Sequence, residues 1–227
     1  MSLSEIVRDY IERILSDQKE MKVLVLDDET TSIVSLVISQ STILEREVFL
    51  VEKIDSSILT DPSRETEKLT HMSAIYIVRP TDENITKLGQ ALENPKYGSY
   101  YIYFTNTVRM DVLRRLANAD RNDLVKQVYE IYCDFYVVNP NLFSLNQPNT
   151  ICLLKPMPSY QSIELTTFNR IVDGIFSVLM SLRKFPVIRY QRTSPICASI
   201  ADKLHGKLRE DPDLMSYFTQ RSTTGHK

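Results

Sequence analysis

Apolar runs separated by polar turns divide roughly the first 138 residues into alternating strands and helices. Unbroken apolar runs are typical of parallel strands that are covered on both faces. Such runs predict four strands, at residues 21–26, 48–51, 74–78 and 100–105. We interpret residues 134–138, which Asn139 and Pro140 follow, as the fifth strand.

Apolar residues at intervals of three and four predict the helices between these strands. Ser2 and Glu5 have the spacing of a capping box at the start of the first helix, and Thr81 is a typical N-cap. The other helices are predicted at residues 33–44 with a break near 39–41, at 82–93, and at 109–118. Residues 124–132 carry Val125, Val128 and Ile131 three apart, which favours a helix there. The polar stretch 53–71 predicts a connection with at most one helical turn.

Strands that alternate with helices predict an α/β fold, here a three-layer domain with a five-stranded parallel sheet in flavodoxin-like order. We place this domain at residues 1–138. Residues 139–227 differ, since they contain one predicted strand (151–154), a long helix (162–183), an extended segment (185–190), and a helix that begins at Ser194 and Pro195. They are interpreted as part of a second, helix-rich α/β domain.

The amino-acid composition argues against several classes of function. The 43% hydrophobic and 25% charged fractions are typical of a soluble globular protein. A net charge of −2 gives no electrostatic argument for nucleic acid or for a general membrane surface. The three cysteines are far apart, which indicates free thiols in a reducing compartment. The five glycines never cluster, so neither common phosphate-binding loop can form, and a Rossmann-like binder of small molecules is disfavoured.

Acidic residues at the end of the first strand suggest one catalytic alternative. Asp27 and Asp28, with Thr105 after the fourth strand, resemble the Mg²⁺ and phosphoryl site of a receiver-like phosphoacceptor domain. That chemistry also needs an aspartate after the third strand and a lysine after the fifth. Instead, Arg79 and Pro80 follow the third strand, and Asn139 and Pro140 follow the fifth. The three histidines are isolated, so we expect no catalytic residues, metal site or cofactor.

The predicted helix at 109–118 carries more apolar side chains than one sheet-facing stripe needs. Val112 and Leu113 are adjacent and cannot both face the sheet. The surplus is more than packing on the sheet requires, so we expect the function to lie on this helix. A basic run at Arg183, Lys184, Arg189 and Arg192 is either an anion or partner contact or a solvated helix end that complements the helix dipole.

Several strings resemble the Sec/Munc (SM) family of syntaxin-binding proteins, and in particular its vacuolar-protein-sorting (endosomal) branch. They are NPKYGSYYIYFTN at 94–106, NPNLFSL at 139–145, VDGIF at 172–176 and FPVIRYQRT at 185–193, with KVLVLD at 22–27 and VFLVE at 48–52. They lie in colinear order over nearly the whole chain.

The resemblance implies a non-enzymatic scaffold that regulates SNAREs in vesicle docking and membrane fusion, on the endosomal and Golgi-to-vacuole route. The implied partner is a syntaxin-type SNARE, bound through its N-terminal peptide, and the SNARE complex in the full-length protein. The implied location is the cytoplasm, with peripheral association with Golgi and endosomal membranes through partners. Members of the family are much longer, so we expect the chain to be an N-terminal piece.

The resemblance also implies the peptide-binding residues. They are Val108, Leu113, Leu116 and Ala117 on the helix after the fourth strand, Val125 and Val128 on the next segment, and Glu130 as the acidic residue that meets a basic group of the peptide. Asp120 and Asp123 are expected to add to the acidic rim. For Leu113 and Leu116 the alternative is that they only pack on the sheet.

Overall fold

The computed structural model describes residues 2–54, 68–148, 150, 153 and 161–210. The strands are β1 Lys22–Leu26, β2 Val48–Lys53, β3 Leu69–Val78, β4 Tyr97–Phe104, β5 Val125–Glu130, β6 Tyr136–Asn139 and β7 Leu142–Ser144. The helices are α1 Leu3–Asp17, α2 Asp28–Val37, α3 Gln40–Glu45, α4 Asp82–Glu93, α5 Met110–Ala119, α6 Gln161–Leu182 and α7 Pro195–Glu210.

Five parallel strands form the central sheet, in the order β2-β1-β3-β4-β5. This is the flavodoxin-like order, so the predicted α/β fold class is confirmed. One sheet face packs against α1 and α2, and its core includes Ile11 and Leu24. The other face packs against α4 and α5, and its core includes Leu88 and Tyr100. The sheet therefore lies between two helical layers.

Local signals for the helix starts are confirmed. Ser2 and Glu5 form the capping box of α1, and the side chains of Ser39 and Thr81 cap α3 and α4. The Ser194 side chain accepts the amide of Cys197 in the first turn of α7. Each of these caps needs only residues within one helical turn, which is why the sequence alone predicts those at Ser2, Thr81 and Ser194, whereas it predicts only a break near Ser39.

The prediction of a helix at residues 124–132 is wrong, because this segment contains β5. The pairing with β4 shifts register, so that Val125 lies opposite Tyr100 and Val128 lies opposite Ile102. Three residues of β5 thus span two of β4, as in a β-bulge. The bulge puts Val125 and Val128 on one sheet face, and it produces the three-residue spacing that resembles a helix.

The prediction of the fifth sheet strand at residues 134–138 is also wrong. Residues 136–139 instead form β6, which pairs antiparallel with β7 in a separate hairpin. Val137 packs into the core on the α1 side of the sheet. The proposed boundary after residue 138 falls inside this hairpin, and the division into two domains stays a prediction.

Other differences concern the connections. The third strand begins at Leu69 rather than 74, so His71 belongs to β3. Residues 55–67 of the predicted polar connection lie outside the described residues, as does the predicted strand 151–154 apart from Leu153.

Cys133 and Cys197 are free thiols, and Cys152 is outside the described residues. None of the described helices has both the length and the apolar character needed to cross a bilayer.

A buried carboxylate joins the sheet to α6. Arg79 Nε lies 2.9 Å from Asp134 Oδ1, and Arg170 Nη1 lies 3.2 Å from Asp134 Oδ2. Burial raises the pKa of the Asp134 carboxyl, and the two guanidinium groups oppose that rise. The Asn106 amide donates to Asp134 Oδ2 and to the carbonyl oxygen of Asp173 in α6. The cluster thus fixes the segment that leads from β4 into α5.

Candidate peptide-binding groove

The apolar residues of α5 divide between two environments. Val112, Leu116 and Ala119 are buried against the sheet, in the core that contains Tyr100. Leu113 is only partly buried. The helix therefore separates Val112 from Leu113 as the sequence indicates, and it leaves Leu113 at the side that faces solvent. Leu116 is 5% exposed, so it can line only the floor of a surface groove.

Ala117 lies one turn beyond Leu113 on the outer side of α5, and it is exposed. Val108 precedes α5, is partly buried, and packs against the sheet core from its edge. Leu113, Ala117 and Val108 thus give α5 and its entry loop a small apolar surface beside the core.

Strand β5 supplies the second wall. Val128 and Glu130 lie opposite Ile102 and Phe104, and residues opposite one another in parallel strands share a sheet face. That face is the one covered by α5. Val125 is partly buried there, and Val128 is 39% exposed.

β5 is also an edge strand, since no described strand pairs with its outer side. An unpaired edge presents backbone donors and acceptors that an extended peptide can use. The wall therefore offers both apolar contact and backbone hydrogen bonds.

Carboxylates tie α5 to β5 at both ends of the groove. Before the helix, the amide of Val108 donates to Glu130 Oε1 at 2.7 Å. After it, both oxygens of Asp120 accept backbone amides, from Leu124 at 3.0 Å and Val125 at 2.9 Å. These bonds fix the spacing of the two walls.

The same bonds decide which acidic residues can meet a ligand. Asp120 uses both oxygens internally, so the expectation that it adds to the acidic rim has no support in this geometry. Unlike the half-buried Asp120, Glu130 is exposed. Its Oε1 accepts the Val108 amide and its Oε2 accepts only a long hydrogen bond, of 3.5 Å, from the Tyr132 hydroxyl. A carboxylate has about four acceptor sites, so Glu130 can still accept a donor from a ligand on its solvent side. Asp123 is exposed, with a left-handed φ of 54°, and its carbonyl oxygen accepts Lys126 Nζ at 2.8 Å.

Sequence reasoning missed Met110. It is 64% exposed at the start of α5, three residues before Leu113 and seven before Ala117. This spacing puts the three side chains along one helix face. The signal is present in the sequence, because Met110 lies inside the helix predicted at 109–118, but the peptide-binding residues are those implied by the resemblance, and Met110 is not among them.

The alternative acidic site is a structural cluster. Asp27 Oδ1 accepts the amide of Thr30 at 2.7 Å, which caps α2. Oδ2 accepts the amide of Arg79 and the side-chain amide of Asn84, each at 2.7 Å. Asp28 pairs with Lys53. The Asp27 carboxylate thus holds the ends of β1, β3 and α4 together, and the described residues contain no group of side chains suited to hold a metal ion.

Known proteins resemble this chain along most of its length. The family model described as "Sec1 family" matches residues 22–225. Vacuolar protein sorting-associated protein 45 of Dictyostelium discoideum is 41% identical over 94% of this chain and 36% of its own length. Its homolog in Arabidopsis thaliana is 44% identical over 88% of this chain and 34% of its own length. The chain thus spans about a third of the length of these relatives.

Solved structures show the same architecture. The SM protein Vps45 in complex with the Qa SNARE Tlg2 superposes with a TM-score of 0.84 and 34% identity, over 94% of this chain and 37% of that one. Sly1p in complex with an N-terminal peptide of Sed5p superposes with a TM-score of 0.74 and 28% identity, over 92% of this chain and 38% of that one. With the family model matched along nearly the whole chain, the protein belongs to the Sec1 family.

Proposed function

We propose that this protein is a non-enzymatic SNARE regulator that binds a syntaxin-type SNARE through the SNARE's N-terminal peptide. The proposed site is the groove between α5 and β5. Its residues are Val108, Leu113, Ala117, Val125 and Val128 as apolar contacts, Leu116 as the floor, and Glu130 as the acidic partner. The observation that carries the proposal is that Leu113, which is only partly buried, and Val128, which is 39% exposed, lie on two walls fixed by internal hydrogen bonds.

The relatives support this choice of partner. Vps45 has been solved with a Qa SNARE, and Sly1p with an N-terminal SNARE peptide. We therefore place the protein in vesicle docking and fusion during endosomal and Golgi-to-vacuole transport. We further propose that residues 1–138 form the peptide-binding domain and 139–227 part of a second domain. Clasping of the assembled SNARE complex is proposed for the longer, full-length protein, with peripheral association with Golgi and endosomal membranes through its partners.

The groove suits a peptide with one bulky apolar side chain and a nearby cation. Burial of such an anchor contributes roughly 1.5–3 kcal/mol. The outward side of the Glu130 carboxylate can accept a charge-assisted hydrogen bond from a lysine or arginine of the peptide. Because both walls are already fixed by Glu130 and Asp120, little ordering of the groove is needed on binding.

The test is calorimetric titration of a syntaxin N-terminal peptide into the wild type, Leu113→Arg and a matched control. Leu113→Arg puts a charge at the centre of the groove, and we expect affinity to fall at least about ten-fold, since loss of one apolar anchor is worth that much. The control is Leu36→Arg, because Leu36 is an exposed leucine, 54% accessible, on α2 at the other sheet face.

Leu36→Arg should bind as the wild type does, and both variants should keep the wild-type melting temperature to within a few degrees. Equal affinity in Leu113→Arg and the wild type would remove the groove assignment.

A further inference from the structure

Helix α5 extends past the outer edge of the sheet. Val112 and Leu116 pack on the sheet itself. In a right-handed crossover from β4 to β5, the residue that follows each sheet-facing residue of the helix points beyond β5. Those residues are Leu113, which is partly buried, and Ala117, which is exposed. Apolar side chains of α5 therefore lie above the position that a further strand next to β5 would occupy.

The backbone of β5 presents hydrogen-bonding groups at that position. From Gln127 to Glu130 its pairing with β4 is regular, with one residue opposite one residue. The amide of Ile131 donates to the carbonyl oxygen of Phe104 at 2.7 Å, on the β4 side. Because successive residues of a strand direct their backbone groups to opposite sides, the N–H and C=O groups of Val128 and Glu130 point outward. No strand in the part of the chain that the structure describes pairs with them.

The opposite face of β5 also carries an exposed aromatic side chain. Tyr129 follows Val128, so its ring lies on the α1 side of the sheet. The ring stacks on that of Tyr103, with the two centroids 5.7 Å apart, and Tyr129 is 52% exposed. Tyr103 is buried in the core on that side. The edge thus offers apolar surface on both faces, and a ligand confined to the α5/β5 groove would contact only one of them.

We propose that the SNARE peptide binds as a sixth strand of the sheet, next to β5. This inference rests on the proposed function, and it adds the conformation of the peptide and a second contact surface. The peptide backbone bonds to the outward groups of Val128 and Glu130, and its side chains alternate between the two faces. The bulky apolar side chain lies under Leu113, and its neighbour in the peptide lies on Tyr129.

Continuity with the groove identifies the occupant of this edge. Val128 belongs to both the groove and the edge, so one extended segment reaches the groove and the outward backbone groups together. Glu130 places an exposed carboxylate at the same edge, which favours a chain that carries a cation. In strand addition of this kind, main-chain hydrogen bonds provide affinity and alternate side chains provide specificity.

The experiment is amide hydrogen exchange of the ¹⁵N-labelled 227-residue chain, followed by NMR with and without peptide. The probe is the N-terminal peptide of Tlg2, the Qa SNARE in the Vps45 complex. We expect the amides of Val128 and Glu130 to exchange at least about ten-fold more slowly in the complex, because each gains a hydrogen bond. The amide of Ile131 already donates to Phe104, so its exchange should slow clearly less, and it serves as the internal control.

The variant that tests the second face is Tyr129→Ala. We expect its affinity for the peptide to fall about ten-fold, as for loss of one large apolar contact, while Tyr129→Phe binds as the wild type does. The matched control is Tyr190→Ala, because Tyr190 is 50% exposed on the segment between α6 and α7, outside the groove. If Tyr129→Ala does not fold, the exchange pattern of the wild type decides alone.

The outcomes separate this inference from the proposed function. Peptide binding that leaves the exchange of Val128 and Glu130 unchanged would overturn the sixth strand but not the groove. Equal affinity in folded Tyr129→Ala and the wild type would overturn the contact on the second face. Absence of peptide binding to the wild type would overturn both proposals. Slow exchange of these two amides without peptide, increasing with protein concentration, would identify a second copy of the chain as the occupant instead.

Discussion

Replacement of Asp134 by asparagine tests the buried cluster that connects the sheet to α6. The variant keeps the size of the side chain but removes the negative charge. The side chains of Arg79 and Arg170, 15% and 7% exposed, then face a neutral amide. Removal of one partner from a buried ion pair costs about 3–5 kcal/mol.

Two contacts place Asp134→Asn near the lower end of that range. Arg79 also pairs with Glu29, and Arg170 also donates to the carbonyl oxygen of Asp134. We therefore expect a loss of about 3 kcal/mol in the free energy of unfolding. For a chain of this length, that loss corresponds to a fall of roughly 6–12 °C in melting temperature.

The assay is urea unfolding followed by circular dichroism, in a double-mutant cycle with Arg170→Met. The double variant Asp134→Asn/Arg170→Met removes one of the uncompensated charges, so it should lose clearly less than the sum of the two single variants. A coupling energy above about 1 kcal/mol is expected for groups in one buried network. Two results would refute the view that charge pairing holds this junction. One is a free energy of unfolding for Asp134→Asn within about 1 kcal/mol of the wild-type value, and the other is a coupling energy near zero.

Three further variants test other parts of the account. Asp27→Ala should lower the free energy of unfolding by about 2 kcal/mol or more, since three amide donors lose their acceptor. Acetyl phosphate should label neither this variant nor the wild type. Labelling of the wild type alone would restore the phosphoacceptor alternative. Gly98→Ala should lower the free energy of unfolding by roughly 1–3 kcal/mol, because its Cβ would lie 2.1 Å from the Thr70 carbonyl oxygen. Gly89→Ala should raise it by about 1 kcal/mol, because Gly89 lies inside α4 and a Cβ added there would have no atom within 4 Å. The opposite order of melting temperatures would contradict this packing.

The sequence predicts those parts of the fold that depend on short-range patterns. Helix starts at Ser2, Thr81 and Ser194 follow from side chains that bond within one turn. β1 and the second half of β3 follow from apolar runs, because they are buried on both faces. β2 and β4 also follow from apolar runs, although three residues of the β2 run are exposed. β5 is an edge strand with a bulge, so its apolar residues neither form a run nor alternate. Its spacing of three at Val125 and Val128 was therefore interpreted as helical.

The site is predicted only in part for a similar reason. That Val112 and Leu113 face different surroundings follows from helix geometry alone. That Asp120 binds backbone amides, rather than facing a ligand, depends on a corner whose hydrogen bonds join residues on either side of the turn. The packing of α6 against α1 joins elements far apart in the sequence, which no local pattern encodes. Long-range juxtaposition is thus what the sequence left open.

The most direct test of the groove is a map of the amides that respond to the peptide. A syntaxin N-terminal peptide would be titrated into the ¹⁵N-labelled protein and followed by amide chemical shifts. We expect the largest changes at Leu113, Ala117 and Val128, with little change at Leu36 or Arg13. Saturating peptide that leaves α5 and β5 unchanged, or that shifts mainly amides elsewhere, would contradict the proposed site.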